Sequence, residues 1–97
     1  MKKSIITQSR NCFICEMYHG LEVTGTERHH AIHGTANRKL ADQDGLTVQL
    51  CHTCHKLLHD HWIHDRDLQQ IAEQSYLEHY NASIEDFIKR YGKNFLD

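Results

Sequence analysis

The 97-residue chain predicts a small α+β fold: two short strands and a following helix, stapled by a four-cysteine metal site and closed by two C-terminal helices. Three observations predict it. Cys12-Phe13-Ile14-Cys15 and Cys51-His52-Thr53-Cys54 are two Cys-x-x-Cys pairs, each able to present two sulfurs to one ion from a single tight turn. Thr26–Ile32 and Leu46–Leu50 carry strand-like patterns. Beyond Asp67 the apolar residues recur with helical period. At this length one domain with a modest core is expected, with an N-terminal arm over 1–11, the knuckles and two-strand core over 12–64, and a helical extension over 65–97.

Residues 1–11 are polar and read as a loosely held arm, and Cys12–Cys15 forms a first knuckle. Glu16 to Gly25 reads as irregular, with Gly20 and Gly25 as turn residues. Thr26–Ile32 reads as a short strand or extended segment, with Leu21, Val23 and Ile32 supplying apolar strand positions around the double histidine. Gly34 to Lys39 reads as a turn leading into a short helical piece through Leu40 and Ala41, and Asp44-Gly45 as a second turn. Leu46-Thr47-Val48-Gln49-Leu50 alternates apolar and polar residues, a second strand. After Cys54, the spacing of Leu57, Leu58, His61 and Trp62 is helical. Asp67 with Gln70 forms a capping box for the next helix, whose face is Leu68, Ile71, Ala72, Ser75 and Tyr76. Ser83 caps the last helix, with Ile84, Phe87, Ile88 and Tyr91 on one face and Gly92 as its left-handed C-terminal residue.

Composition narrows the function. Mean hydropathy is -0.66, and no apolar run is long enough to cross a bilayer, so no membrane partner is expected. The start, Met1-Lys2-Lys3-Ser4-Ile5-Ile6, lacks the apolar stretch and cleavage site of a secretory signal, which places the chain in the cytoplasm. A formal charge of -2 excludes the strongly basic profile of a general DNA binder. The charge is uneven, however. Residues 1–59 hold seven Lys/Arg against five Asp/Glu, and residues 60–97 hold four against eight. Nucleic acid is therefore expected to meet the first part of the chain.

In a reducing cytosol four cysteines read as metal ligands rather than disulfides. A redox dithiol is the alternative, but it does not predict two pairs framing a histidine cluster. Four thiolates make a closed tetrahedron that suits a structural Zn2+. Ten histidines are far more than this length normally holds. His55 and His59 stand four apart on a helix that begins in the second knuckle, so both rings share a face. His61 and His64 read as solvated helix surface.

Taken together, His29-His30 on the first strand, Cys51-His52-Thr53-Cys54-His55 after the second and His59 one turn on resemble the HNH (His-Me finger, ββα-metal) endonuclease family. Cys12 and Cys15 match the extra zinc knuckle of many members. The resemblance covers residues 12–60, and the ending Tyr91-Gly92-Lys93-Asn94-Phe95-Leu96 looks like small phage or prophage members.

The resemblance implies a ββα-metal core and hydrolysis of DNA phosphodiester bonds. His30 would be the general base. His29, His55 and His59 would bind one catalytic divalent metal, against the scissile phosphate and the leaving 3′ oxygen. The chemistry agrees: a neutral imidazole can take a proton from water near neutral pH, and a cation stabilises charge building on phosphoryl oxygens. Three imidazoles without a carboxylate favour Zn2+, Ni2+ or Mn2+ over Mg2+.

Two features depart from the family pattern. Adjacent residues on a regular strand point to opposite faces, so His29 and His30 can converge only if the strand ends or bulges there; His33 is a substitute ligand. The family usually places an asparagine before the second strand to orient the base, where this chain has Asp44-Gly45-Leu46-Thr47. Asn37 reads equally as that orienting residue and as an ordinary loop asparagine.

Arg28, Arg38, Lys39 and Lys56 form a basic patch for phosphate contacts, without an Arg/Asn/Gln-rich helix to read base edges. The competing readings are a non-catalytic zinc module that binds nucleic acid or protein, which leaves the four histidines unexplained, and a redox or metal-handling protein with accessible thiols. DNA is the expected partner and a monomer the default; a homodimer and phage-encoded protein partners stay open.

Overall fold

The computed structural model describes residues 3–96; Met1, Lys2 and Asp97, expected as parts of the arm and tail, lie outside them. Along these residues run α1 (Phe13–His19), β1 (Glu27–His30), α2 (Thr35–Asp44), β2 (Thr47–Leu50), α3 (His52–His61), α4 (Asp65–Tyr80) and α5 (Ile84–Tyr91). The described residues thus make a small α+β fold with one two-stranded antiparallel sheet. Glu27 pairs with Leu50, Arg28 with Gln49, His29 with Val48 and His30 with Thr47, one to one. The strand therefore carries no bulge; it ends at His30. Because side chains alternate, Glu27 and His29 reach α3 while Arg28 and His30 reach Asp42 on α2.

Two apolar clusters hold these elements. Ala31, Ile32, Ala41, Leu46, Ala72, Phe87 and Tyr91 join the ends of the strands to α2, α4 and α5. Cys12, Ile14, Val48, Leu50, Leu58 and Leu68 join α1, β2, α3 and α4. Ile6 packs against both. The helical period read from the tail accounts for Leu68 and Ala72 on α4 and Phe87 and Tyr91 on α5, which are buried, whereas Ile84 and Ile88 of the same expected face stay exposed. Ser83 caps α5 and Gly92 closes it in the left-handed region, as expected, and the structure adds Asp86 as the reciprocal partner of Ser83 in a capping box.

Four local expectations are corrected. Glu16 to His19 is helical, not irregular: Cys12 caps α1, its sulfur accepting the Cys15 N–H, and Gly20 ends the helix, while 21–25 is irregular as expected. The short piece at Leu40 and Ala41 is a full ten-residue helix, and Asp44-Gly45 is its terminus. Gly45 has φ 79°, and a Cβ there would lie 2.6 Å from the Lys3 carbonyl. Only glycine serves both demands. That approach also corrects the loose arm, because Ile5 N–H donates to the Gly45 carbonyl at 2.9 Å and Ser4 Oγ donates to the Thr47 carbonyl. Finally, α4 starts before Asp67. His64 holds the cap position at φ 63°, and Asp67 sits in the first turn, accepting from the Tyr18 hydroxyl. Two carboxylates, Asp65 and Asp67, at the positive end of the helix favour this earlier start.

The end of α2 is locked to α5 by a polar cluster. Arg90 donates to both oxygens of Asp44, at 2.5 and 2.8 Å, and the Tyr91 hydroxyl donates to Oδ2 at 2.5 Å. Asp44 is buried. Asp44→Ala leaves a buried hydroxyl and a half-buried guanidinium without their acceptor, and is expected to cost about 2 kcal/mol, discounted because Arg90 stays partly hydrated. Urea unfolding of the two proteins measures it.

Candidate functional site

Two groups of metal-ligating side chains come together, and both draw on α3 and its cap. In the first, the sulfurs of Cys12, Cys15, Cys51 and Cys54 all lie within 4.8 Å of one another. Cys15 Sγ is 4.0 Å from Cys51 Sγ and 3.7 Å from Cys54 Sγ. Metal–sulfur bonds of about 2.3 Å in a tetrahedron put the sulfurs about 3.8 Å apart, so the spacing suits one ion. Each pair is made the same way: Cys12 caps α1 and Cys51 caps α3, and each sulfur accepts the N–H three residues on. Burial raises the Cys54 thiol, and neighbouring sulfurs add to it. Burial acts on Cys12 too, yet the backbone N–H groups of Cys51 and Cys15 bring it down to about 7. A cation at the centre lets all four sulfurs ionise together.

The second group is His29, His55 and His59, whose ligand nitrogens also lie within 4.8 Å of one another. His29 comes from β1; His55 and His59 come from successive turns of α3. His55 and His59 bring their Nε2 atoms to 3.1 Å. The His29 ring stands 5.2 Å from that of His55 and 6.0 Å from that of His59. Its Nε2 is buried without a hydrogen-bond partner, which is costly unless something else engages it. Glu27 accepts from His55 Nδ1 at 2.8 Å, which leaves the His55 Nε2 lone pair facing the other two rings. That hydrogen bond, with further help from His52, holds the Glu27 carboxyl below its usual range. The donor set fits one divalent ion held by three nitrogens. His29 is buried and His59 exposed, so the fourth side opens outward, the arrangement of a site that admits a ligand.

Burial first, then the surrounding rings of His55, His33, His59 and His30, push the His29 pKa down to about 3. An unfolded chain takes up this proton below about pH 6.5, and the folded chain does not until about pH 3. The contribution of His29 to stability is therefore complete above pH 6.5 and is lost as pH falls through this window. Urea midpoints at pH 7 and pH 5 should fall further for the wild type than for His29→Asn.

His30 lies beside this triad. Its Nε2 is 3.0 Å from Asp42 Oδ1, the same oxygen that accepts from Arg28 at 2.8 Å. Burial pulls the Asp42 carboxyl up, but His30 and Arg28 outweigh it and hold it below its usual range. Asn37 is not the group against His30; it sits in α2 and donates to the Tyr91 carbonyl at 3.3 Å. The helix turns Asn37 toward α5 and Asp42 toward the strand, two sides of α2. His33 pairs with Asp65 at the start of α4, and its ring is 5.9 Å from that of His29.

A pocket of about 170 Å³ is lined by His29, His30, His33, His55, His59, Arg28 and Arg38. The structure thus gathers the two adjacent histidines, His55 and His59 of α3, and two of the four expected cations. Lys56 instead pairs with Asp60 on its own helix at 2.8 Å, and Lys39 does not line the pocket. Asp42, Glu27 and Asp65 were not singled out from the sequence. Glu27 was findable, because it is two residues before His29 and so shares its face of β1. Trp62, 60% exposed at φ 58°, stands edge-on to His33 with ring centres 5.3 Å apart.

No helix among the described residues is long and apolar enough to cross a membrane. Comparison with known proteins finds no family model, no curated protein and no solved structure that matches this chain.

Proposed function

We propose that the chain is a metal-dependent endonuclease of the HNH (His-Me finger, ββα-metal) type, acting on DNA, with a structural zinc ion on its four cysteines. The observation that carries the reading is the meeting of two kinds of imidazole in one pocket. Three of them converge on a point where His29 Nε2 has no other partner, and a fourth, His30, is held by a carboxylate. A zinc module that only binds would need the sulfurs and not this pocket. The succession β1, β2, α3, with histidines on the first and third elements, supports the family reading.

The chemistry follows from the hydrogen bonds. Asp42 accepts the Nε2 proton of His30, which leaves Nδ1 as the ring's basic nitrogen, available to take a proton from the attacking water. A divalent ion, when bound, supplies positive charge to the scissile phosphate and the leaving 3′ oxygen. His29, His55 and His59 hold that charge in place; Glu27 fixes the His55 tautomer. Arg28 and Arg38 line the pocket and present donors to the phosphate.

Incubation of supercoiled plasmid with the zinc-loaded protein tests this. Nicking that requires added Mn2+, Ni2+ or a further Zn2+ is expected. Intact plasmid under every divalent metal would leave a binding module as the better account. Asp42→Ala should slow nicking by about 10- to 100-fold while metal affinity, measured by calorimetry, stays near the wild-type value.

A further inference from the structure

Outside the histidine pocket a groove of about 450 Å³ runs between the N-terminal segment and the sheet. One wall is the segment that carries Lys3, Thr7, Gln8 and Arg10; the other is formed by Arg28, Gln49 and their strand neighbours. This wall is held in place by Ile5 bonded to Gly45, Ser4 to Thr47 and the Arg10 carbonyl to the Thr26 hydroxyl, which lay the segment along the sheet. Three cations line the groove and no carboxylate does. The chain as a whole is acidic, with a formal charge of -2, so this composition is a local exception. Lys3 and Arg10 are exposed, and neither pairs with a carboxylate among the described residues.

We propose that this groove holds the sugar–phosphate backbone of the DNA strand as it leaves the cleavage pocket. The occupant follows from chemistry. Cations interleaved with hydroxyl and amide side chains are the usual donors to phosphate oxygens. A mainly polar lining argues against an apolar small molecule. Continuity selects the strand being cut over an unrelated anion, because Arg28 lines both the groove and the histidine pocket. A phosphate seated near Arg28 therefore has its neighbour along the chain within reach of the groove. This inference rests on the nuclease reading for its substrate, but not for the existence of the site.

The test is fluorescence anisotropy with a labelled DNA duplex and the zinc-loaded protein without the added divalent metal that cutting requires. Lys3→Ala/Arg10→Ala should weaken binding about 10-fold at moderate salt and lower the slope of log affinity against log salt by about 2. Lys89→Ala/Lys93→Ala, which removes the same charge on and after α5, should leave binding within about 2-fold if local contacts dominate. Thermal melting by circular dichroism confirms that both variants fold. Equal weakening by the two pairs, or none by the first, overturns the groove. Hydrolysis of bis(p-nitrophenyl) phosphate by the wild type is the separate check on the nuclease reading. Groove-dependent binding without any such hydrolysis would keep the site and remove the enzyme.

Discussion

Cys51→Ser is expected to cost about 5 kcal/mol or more, most of the net stability of a domain this size. The position explains the size of the effect. Cys51 follows Leu50, whose partner across the sheet is Glu27, and its sulfur caps α3. The ion it would help hold ties that junction to α1, Cys15 and Cys51 standing 36 positions apart in the chain. The two apolar clusters each join elements from both halves of the chain, and neither is large. The second cluster includes Cys12 itself and packs against Cys15, Cys51 and Cys54, so it is built around the sulfur site. A chelator strong enough to strip zinc should act like the substitution, and added zinc, not manganese, should restore the fold. Thermal melting with metal counting by mass spectrometry reads both. A metal-free protein that melts at the wild-type temperature would contradict the structural role.

The second large effect separates base from metal ligand. His30→Ala is expected to lower nicking by about 10²- to 10⁴-fold with the affinity for the exchangeable metal nearly unchanged, since His30 is bonded to Asp42 and stands outside the triad. His59→Ala should lower both, because its Nε2 lies 3.1 Å from that of His55 and shares the same point of convergence. His59 is exposed, so its removal leaves the fold intact. Metal titrations followed by nicking assays on the two variants give the comparison. Equal loss of metal affinity in both would remove the distinction between His30 and the ligands.

The parts of this molecule that were legible in the sequence are those set by short-range spacing. Two residues between cysteines fix a shared turn, and four residues between His55 and His59 fix a shared helical face. The period of Leu68, Ala72, Phe87 and Tyr91 fixes what the tail buries. The parts that were not legible depend on contacts between distant segments. Asp44-Gly45 looks like a free turn until Arg90 and Tyr91 arrive from α5 to bind Asp44 and extend α2 to it. Asn37 and Asp42 were both polar residues of a connection. Only a full helix over Thr35–Asp44 reveals that they face different ways, one to Tyr91 and one to His30. The arm looked loose because its polar residues show no period; its order comes from contacts that a sequence does not display, among them the Gly45 and Thr47 carbonyls and the packing of Ile6. His29 and His30 posed a conflict of faces that the end of the strand resolves, since the pocket wraps around the edge where β1 stops.

X-ray absorption at the metal edge, on protein holding zinc in the cysteine site and cobalt in excess, addresses the imidazole centre most directly. The account predicts a cobalt environment of three nitrogens with bonds of about 2.0–2.1 Å and at least one oxygen from solvent, lost on His59→Ala. Cobalt found with sulfur neighbours alone, or no second ion bound at any concentration, would contradict it.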